Sequence, residues 1–298
     1  MSTIKKLTDV FNLSKEINFD DNSKIIIMSD CHRGDNTLSD NFAQNKNIFI
    51  TALRYYYAEN FTYIEIGDGD ELWENKSFDK IMSSHLDAFL LMSLFYKRNK
   101  FYMIYGNHDI VKKNISLVNS SMKSYYDKKS QKSVSIFPNI DISEGLILKY
   151  KKTNNKIFLV HGHQGDFFND SIWKVARFLV RYVWRPLELI GIHDPTRAAT
   201  NNKKKQITEK KLISWTKENK NLLIAGHTHR AFFSNIGEDL YFNDGCCVHP
   251  GFITGIEINN GSISLIKWYI KERKNKDPLI NRQVLAGPIK LKKYFENI

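Results

Sequence analysis

The sequence predicts an α/β protein with a mixed β-sheet, or with two sheets packed together. Short runs rich in β-branched residues recur along the 298-residue chain, and the first of these runs alternate with segments of helical pattern. The later runs are instead joined by short polar turns, which are typical of antiparallel hairpins. Parallel and antiparallel strands are therefore expected in the same protein.

The parallel part is predicted from three strands near the start of the chain. The runs at 24–29, 62–67 and 101–106 are apolar almost throughout, as strands covered on both faces are. Helical patterns at about 40–58 and 77–98 separate these runs. This is the spacing of βαβ units, so the three strands are expected to lie parallel in a buried sheet.

The antiparallel part is predicted from later runs. These lie at 146–150, 156–161, 221–226, 240–243, 252–258 and 262–270. Turn-forming residues at 151–155 and 259–261 join two pairs of them, and each pair is expected to form a hairpin.

A long insertion of helical pattern lies between two of the later strands. Its helix is predicted to begin near Asp170 and to end where Pro186 interrupts it. Most of its residues are apolar, and four basic residues share one face: Lys174, Arg177, Arg181 and Arg185. We therefore expect a single domain over 1–298, with a helical cap insertion at about 166–220.

The composition predicts a soluble protein of a reducing compartment. Hydrophobic residues make up 42% of the chain, as in globular proteins, and residues 1–24 contain no apolar stretch of signal-peptide length. Three cysteines, two of them adjacent at Cys246 and Cys247, cannot form a disulfide framework. A cytoplasmic location is the expectation, with peripheral membrane contact through the cap as an extension of it.

The positive charge of the chain is local. The formal net charge is +12, and residues 171–220 and 267–298 carry +8 and +6 of it, which leaves −2 for the remainder. Two basic surfaces around a neutral or acidic centre are therefore expected. This distribution argues against nucleic acid as the principal partner, although a nuclease stays open as an alternative.

Five of the predicted strands end in residues that can bind a metal ion. The residues are Asp30 and His32; Asp68; Asn107, His108 and Asp109; His161 and His163; and His227 and His229. Ligands of open α/β folds gather at the carboxyl ends of strands, so these side chains are expected to meet. Carboxylate, amide and imidazole without thiolate suit Mn, Fe, Zn or Co. Alternation along an extended chain is expected to turn Cys31 away, as a buried filler.

The order DCH, GDGDE, GNHD, HGH and GHTH resembles the five-motif pattern of the calcineurin-like metallophosphoesterases over about residues 24–270. Within that superfamily, GDGDELW and GHTHR are similar to motifs of the branch that contains the UDP-2,3-diacylglucosamine pyrophosphatases. The resemblance implies a four-layer αββα sandwich of two mixed β-sheets flanked by helices, with a helical cap insertion.

The resemblance also implies a centre of two divalent metal ions, with Mn favoured over Fe, Zn or Co. One ion would be held by Asp30, His32 and His229, the other by Asn107, His161 and His227, with Asp68 bridging them. A hydroxide between the ions would attack phosphorus in line. His108, oriented by Glu71, would assist the leaving group.

The substrate implied is a phosphomonoester, a nucleotide or a pyrophosphate-linked lipid precursor. Arg33 and Arg230 each follow a predicted ligand, and Arg177 and Arg181 lie on the cap, so all four are candidates for binding substrate phosphate. Two alternatives stay open, namely a metal-dependent nuclease or phosphodiesterase and a metal-binding scaffold without catalysis.

Overall fold

A computed structural model describes residues 2–127, 131–165, 177–178, 180–184, 202–273 and 276–296. Its strands, in chain order, are β1 (Lys15–Phe19), β2 (Ile25–Met28), β3 (Thr62–Ile66), β4 (Phe101–Ile104), β5 (Ser124–Asp127), β6 (Lys132–Ser135), β7 (Ile142–Ser143), β8 (Gly145–Tyr150), β9 (Lys156–Val160), β10 (Leu222–Ala225), β11 (Phe232–Phe233), β12 (Tyr241–Asn243), β13 (Phe252–Asn259), β14 (Ser262–Arg273) and β15 (Lys276–Lys290). The α-helices are α1 (Thr3–Leu13), α2 (Lys46–Ala58), α3 (Phe78–Ser84), α4 (Leu86–Lys97), α5 (Ile115–Ser121), α6 (Asn202–Asn219) and α7 (Leu291–Phe295).

Two large mixed sheets are formed. The seven-stranded sheet has the order β15-β14-β13-β2-β3-β4-β7, and the six-stranded sheet has the order β1-β8-β9-β10-β12-β11. Strands β2, β3 and β4 are parallel, as predicted, and the β8/β9 and β13/β14 pairs are antiparallel hairpins, also as predicted. Strands β5 and β6 form a separate hairpin.

The sheets pack face to face through a shared apolar layer. Ile27 and Ile64 of the seven-stranded sheet and Leu148 and Leu159 of the six-stranded sheet belong to one buried cluster. In β2, alternate residues face this layer and the helices on the other side, so every residue of Ile25–Met28 is buried. An uninterrupted apolar run is the pattern that such two-sided burial requires.

Helices cover both outer faces. Helices α2 and α4 pack on the seven-stranded sheet through residues such as Phe49 and Phe89. Helices α1 and α6 pack on the six-stranded sheet, where Leu7 lies in the same cluster as Leu212 and Trp215. The four-layer αββα arrangement is therefore confirmed.

The insertion differs from its prediction in one respect. Residues 202–219, which lie inside the predicted cap, form α6 of the outer layer, because the buried Leu212 and Trp215 attach this helix to the body. Of the rest of the insertion, the structure describes two residues in helical conformation, 177–178, and a π-helical turn at Val180–Trp184. Lys174, Arg185 and the predicted start near Asp170 lie outside the described residues.

Strand β15 is the largest element that the sequence pattern misses. Its sequence, KDPLINRQVLAGPIK, contains two prolines, Pro278 and Pro288, which argue against a strand within a sheet. The strand lies at the edge of the seven-stranded sheet, with β14 as its neighbour there. Proline is tolerated at an edge because one side of the strand donates no hydrogen bonds to a neighbour.

No helix among the described ranges is both long enough and apolar enough to span a bilayer.

Candidate metal centre

The five polar motifs come together at one end of the two sheets. They follow β2, β3 and β4 of the seven-stranded sheet and β9 and β10 of the six-stranded sheet. The parallel course of β2, β3 and β4 in one sheet, and of β9 and β10 in the other, puts these loops at common edges. Side chains far apart in sequence thereby meet between the sheets.

One cluster contains Asp30, His32 and His229. The Nε2 atom of His229 lies 3.0 Å from Oδ1 of Asp30, and the Nε2 atoms of His32 and His229 are 3.3 Å apart. Ligand atoms of all three residues lie within 4.8 Å of one another. The second oxygen of Asp30 accepts a hydrogen bond from the backbone N–H of His227, at 2.8 Å, which fixes the orientation of this carboxylate.

A second cluster contains Asp68, His161 and His227, whose ligand atoms also lie within 4.8 Å of one another. Nε2 of His161 is 3.1 Å from Oδ2 of Asp68. Nδ1 of His161 is 3.0 Å from the carbonyl oxygen of Ile66 and donates its proton there, which directs Nε2 toward Asp68. The imidazole is thus oriented so that Nε2, once deprotonated, could bind a metal ion.

Asp68 lies between the two clusters. Its Oδ2 atom faces Nε2 of His161 at 3.1 Å and Nε2 of His32 at 3.9 Å. Its Oδ1 atom accepts a hydrogen bond of 2.8 Å from the backbone N–H of His108. One oxygen is therefore anchored to the backbone, and the other is shared by the two clusters.

The predicted ligands adopt an unusual backbone conformation. Left-handed φ values are found at five of them: Asp30 (51°), His32 (47°), Asp68 (49°), His227 (65°) and His229 (54°). Non-glycine residues held in this region cost about 1–3 kcal/mol each and concentrate at functional sites. The expectation that DCH continues as extended chain is therefore wrong, because β2 ends at Met28.

Cys31 is nevertheless buried, as predicted. It has no exposed surface and belongs to the apolar cluster under the helices. The left-handed residues on each side of it, and not strand alternation, turn its neighbours toward the centre while Cys31 points into the core.

Close backbone approach at the centre requires glycine. A Cβ atom on Gly67, whose φ is +93°, would lie 2.7 Å from Nδ1 of His161. A Cβ atom on Gly106 would overlap Oδ1 of Asp68. Gly67 and Gly106 each precede a predicted ligand, and a larger side chain at either position would displace a residue of the centre.

His108 and His32 share one carboxylate. Nδ1 of His108 lies 2.8 Å from the Glu71 carboxylate, and Nδ1 of His32 lies 2.9 Å from Oε2 of Glu71. The indole of Trp73 stacks on the His108 imidazole, with ring centroids 4.3 Å apart and an interplanar angle of 20°. Both imidazoles are thereby held with Nδ1 engaged and Nε2 available.

The residues of the centre fit divalent cations. Among the described residues, neither side-chain polar atom of Asn107 has a hydrogen-bond partner, and Oδ1 of Asp30 and Nε2 of His161 have only the close contacts with His229 and Asp68 given above. Buried polar atoms are seldom left unpaired, so this concentration requires an explanation. Cations would satisfy Oδ1 of Asp30, Oδ1 of Asn107 and Nε2 of His161, and the absence of thiolate from this set suits Mn, Fe, Zn or Co.

The electrostatics of the second cluster favour a cation as well. Burial raises the pKa of Asp68, but the His161 and His108 imidazoles outweigh burial and hold the pKa well below its usual range. Burial lowers the pKa of His161, while the carboxylates of Asp68 and Asp30 raise it to about 9. The site therefore attracts positive charge, and a bound metal would release the proton of His161.

Comparison with known proteins agrees with this geometry. The model of the calcineurin-like phosphoesterase family matches residues 23–231. The chain belongs to this family. It is therefore a metallophosphoesterase, a metal-dependent hydrolase of phosphoesters.

Solved structures similar to this phosphoesterase have low sequence identity. Vps29 of Chaetomium thermophilum is 9% identical with a TM-score of 0.39, and the match covers 89% of this chain and 96% of that one. A 5′-nucleotidase from Staphylococcus aureus, in complex with α-ketoglutarate, is 8% identical with a TM-score of 0.36, and the match covers 92% of this chain and 57% of that one. No curated protein matches the sequence.

The prediction that Arg33 binds substrate is wrong. Arg33 is completely buried, and its guanidinium forms two hydrogen bonds of 2.7 Å with Glu65 and one of 2.8 Å with Asp70. Lys112 joins this network through Asp70 at 2.6 Å and Asp109 at 2.7 Å. The network ties together the loops after β2, β3 and β4, so Arg33 supports the centre from beneath.

The other three predicted arginines differ in their surroundings. The guanidinium of Arg230 pairs with Glu209 of α6, and its side chain is 50% exposed, so part of it faces solvent beside His229. Arg181 donates to backbone carbonyls of the loop after β3, and substrate binding stays a prediction for it. Arg177 is partly buried, and a role in substrate binding stays a prediction for it.

Sequence reasoning missed two residues that contact the centre. Asp244, directly after β12, is fully buried and accepts a hydrogen bond of 2.8 Å from Ser29, whose hydroxyl also contacts Asp30. Asp244 could have been found from sequence, because it follows an apolar strand in the same way as Asp30 and Asp68. Trp73 is the last residue of the GDGDELW motif, but the motif did not reveal its stacking on His108, which depends on how the loop folds.

Proposed function

We propose that this phosphoesterase is a binuclear enzyme that hydrolyses small phosphorylated molecules. The observation that carries the proposal is the pair of buried carboxylate and imidazole clusters, with one oxygen of Asp68 between them. One cation would be held by Asp30, His32 and His229. The other would be held by Asn107, His161 and His227, and Asp68 would contact both.

Bound divalent cations would supply a water acidified to a nucleophile near neutral pH and would neutralise charge on the phosphate oxygens. The protein residues supply position. Ile66 and Glu71 orient His161 and His32 by accepting their Nδ1 protons, and the backbone N–H of His108 holds the outer oxygen of Asp68. Orientation of ligands by such outer contacts is usual at metal sites.

His108 is the residue proposed to assist the leaving group. Glu71 occupies its Nδ1, so Nε2 is the atom left to donate a proton or hydrogen bond to the departing oxygen. The side chain is 22% exposed, whereas most of the centre is buried. His108 is therefore accessible from solvent.

A small anionic substrate is supported by the charges beside His229. Arg230 is paired with Glu209, and Lys205 lies one turn before Glu209 on α6, on the same helix face, so two basic residues share one carboxylate. Burial lowers the pKa of the Lys205 amine, and the charge of Arg230 contributes to the same effect. We place phosphomonoesters and nucleotides first as substrates, and a pyrophosphate-linked lipid precursor stays the alternative.

The test is a substrate screen on protein freed of metal and reconstituted with Mn²⁺, Fe²⁺, Zn²⁺ or Co²⁺. Aryl phosphate, aryl phosphodiester, nucleoside monophosphates and a nucleotide-linked pyrophosphate are compared. We expect hydrolysis of at least one monoester class that requires added metal and saturates near two ions per chain. Saturation at one ion would contradict the binuclear proposal, and metal binding without hydrolysis of any ester would favour a non-catalytic scaffold.

Replacing His108 with Gln is expected to lower kcat by about 10²-fold, because a positioned imidazole contributes about this much to proton transfer. Metal content should be unchanged, since His108 is not among the proposed ligands. The loss should be larger for an alkyl phosphate than for an aryl phosphate, whose leaving group needs little help. Equal losses on both substrates would remove His108 from the leaving-group role.

A further inference from the structure

The described part of the insertion contacts the loop that carries Glu71. Arg181 lies in the π-helical turn Val180–Trp184 and is partly buried. Its Nε donates to the carbonyl oxygen of Trp73 at 2.8 Å, and its Nη2 donates to those of Leu72 at 2.7 Å and Asn75 at 3.3 Å. The Arg181 guanidinium thus donates hydrogen bonds to three backbone carbonyls of this loop.

Glu71 also holds this loop, through both its carboxylate and its backbone carbonyl. Its Oε1 accepts hydrogen bonds of 3.3 Å from the backbone N–H groups of Trp73 and Glu74. The backbone carbonyl of Glu71 accepts from the side chain of Asn75 at 3.0 Å. Glu71 therefore accepts hydrogen bonds from backbone N–H groups of this turn, and Arg181 donates hydrogen bonds to backbone carbonyls of the same turn.

This turn determines where the Trp73 ring lies. The indole is 3% exposed and stacks on His108, and the imidazole is held at its edge by Glu71. A shift of residues 72–75 would therefore move both the stacking partner of His108 and the carboxylate that fixes its Nδ1. Displacements of about 1 Å remote from the reacting atoms can cost as much as 10²-fold in rate.

We propose that Arg181 is a positioning residue that connects the insertion to His108 through Trp73 and Glu71. The inference rests on the proposed role of His108 in leaving-group departure and deepens it. Glu71 also holds His32, a proposed metal ligand, so the metal content of each variant is measured together with its kinetics. The planar fork of arginine suits several carbonyls at once, which a lysine ammonium does not reproduce.

The proposal predicts a selective kinetic defect. Arg181→Ala should lower kcat about tenfold for an alkyl phosphate and less than about threefold for an aryl phosphate, because only the poorer leaving group needs His108. KM should stay unchanged, and kcat is compared at equal metal content. Arg181→Lys should recover part of the loss. In a His108→Gln background, Arg181→Ala should have no further effect, since the two substitutions act on one step.

The matched control is Arg98→Ala. Arg98 also donates to a backbone carbonyl, that of Tyr57 at 3.5 Å, but it lies at the end of α4 and on the surface. This variant should retain wild-type kcat on both substrates. Equal losses on both substrates in Arg181→Ala, or an undiminished loss in the His108→Gln background, would overturn the proposal.

A measurement on metal-free protein separates this proposal from the proposed function. The indole N–H resonance of Trp73, assigned with Trp73→Phe, should shift or broaden in Arg181→Ala and stay in place in Arg98→Ala. An unchanged resonance would overturn the positioning role, whatever the activity. Failure of the wild-type protein to hydrolyse any phosphate ester would instead overturn the proposed function, while the resonance would still report whether Arg181 holds Trp73.

Discussion

Replacing Asp68 with Asn is expected to lower kcat by about 10³-fold, equivalent to about 4 kcal/mol of transition-state stabilisation. The substitution keeps the shape of the side chain and an oxygen for the His108 backbone N–H, but it removes the negative charge between the clusters. Turnover of an aryl phosphate and an aryl phosphodiester, with metal content per chain, is the measurement. At least one ion should be lost or bound more weakly.

A suitable control is Asp79→Asn, which removes the same charge from the exposed first turn of α3. It should leave both turnover and metal content unchanged. Undiminished turnover in Asp68→Asn, with full metal content, would exclude Asp68 as the bridging ligand.

Replacing Arg33 with Met is expected to lower the free energy of unfolding by about 3–5 kcal/mol, because it leaves Glu65 and Asp70 as buried charges without this partner. A loss of this size is a large part of the stability of an ordinary domain. Urea unfolding of metal-free protein measures it. Arg33→Lys should not restore stability, since an ammonium cannot bind both carboxylates in the same geometry.

The same network predicts a pH dependence. Burial raises the pKa of Asp70, but Arg33 and Lys112 outweigh burial and lower it to about 2, from an ordinary value of 3.8. A depressed carboxyl pKa stabilises the fold above the ordinary value, and this contribution is lost as the pH falls toward 2. Removal of Arg33 should therefore flatten the fall in stability between about pH 4 and pH 2. A loss below about 1 kcal/mol at neutral pH would contradict the assignment of Arg33 as a buried support.

Much of the fold could be predicted because its patterns are local. Apolar runs such as Ile25–Met28 must be covered on both faces, and turn residues at 259–261 favour a hairpin whatever surrounds them. Strand β15 could not be predicted in this way. Its prolines are acceptable only because tertiary packing puts the strand at an edge.

The composition of the candidate site could also be predicted, but its outer contacts could not. Asp30, Asp68 and His161 follow apolar strands, and their order resembles a family pattern, so they were identified without coordinates. The surroundings of Arg33 could not be predicted in this way. An arginine beside a ligand has the same sequence pattern whether it faces a phosphate or a buried carboxylate.

The sequence by itself determined many of the buried strands, which polar residues follow them and the resemblance to a family, because these depend on periodicity and on the order of motifs. Tertiary structure alone decided the left-handed backbone at Asp30 and His32, the burial of Arg33 beneath the centre and the contact of Arg181 with the loop of Trp73. The physical reason is that backbone strain, burial of charge and the pairing of carbonyls are settled by neighbours distant in sequence. The left-handed backbone is unfavourable for non-glycine residues, and burial of a charge is unfavourable without a partner, so local preference alone would oppose both.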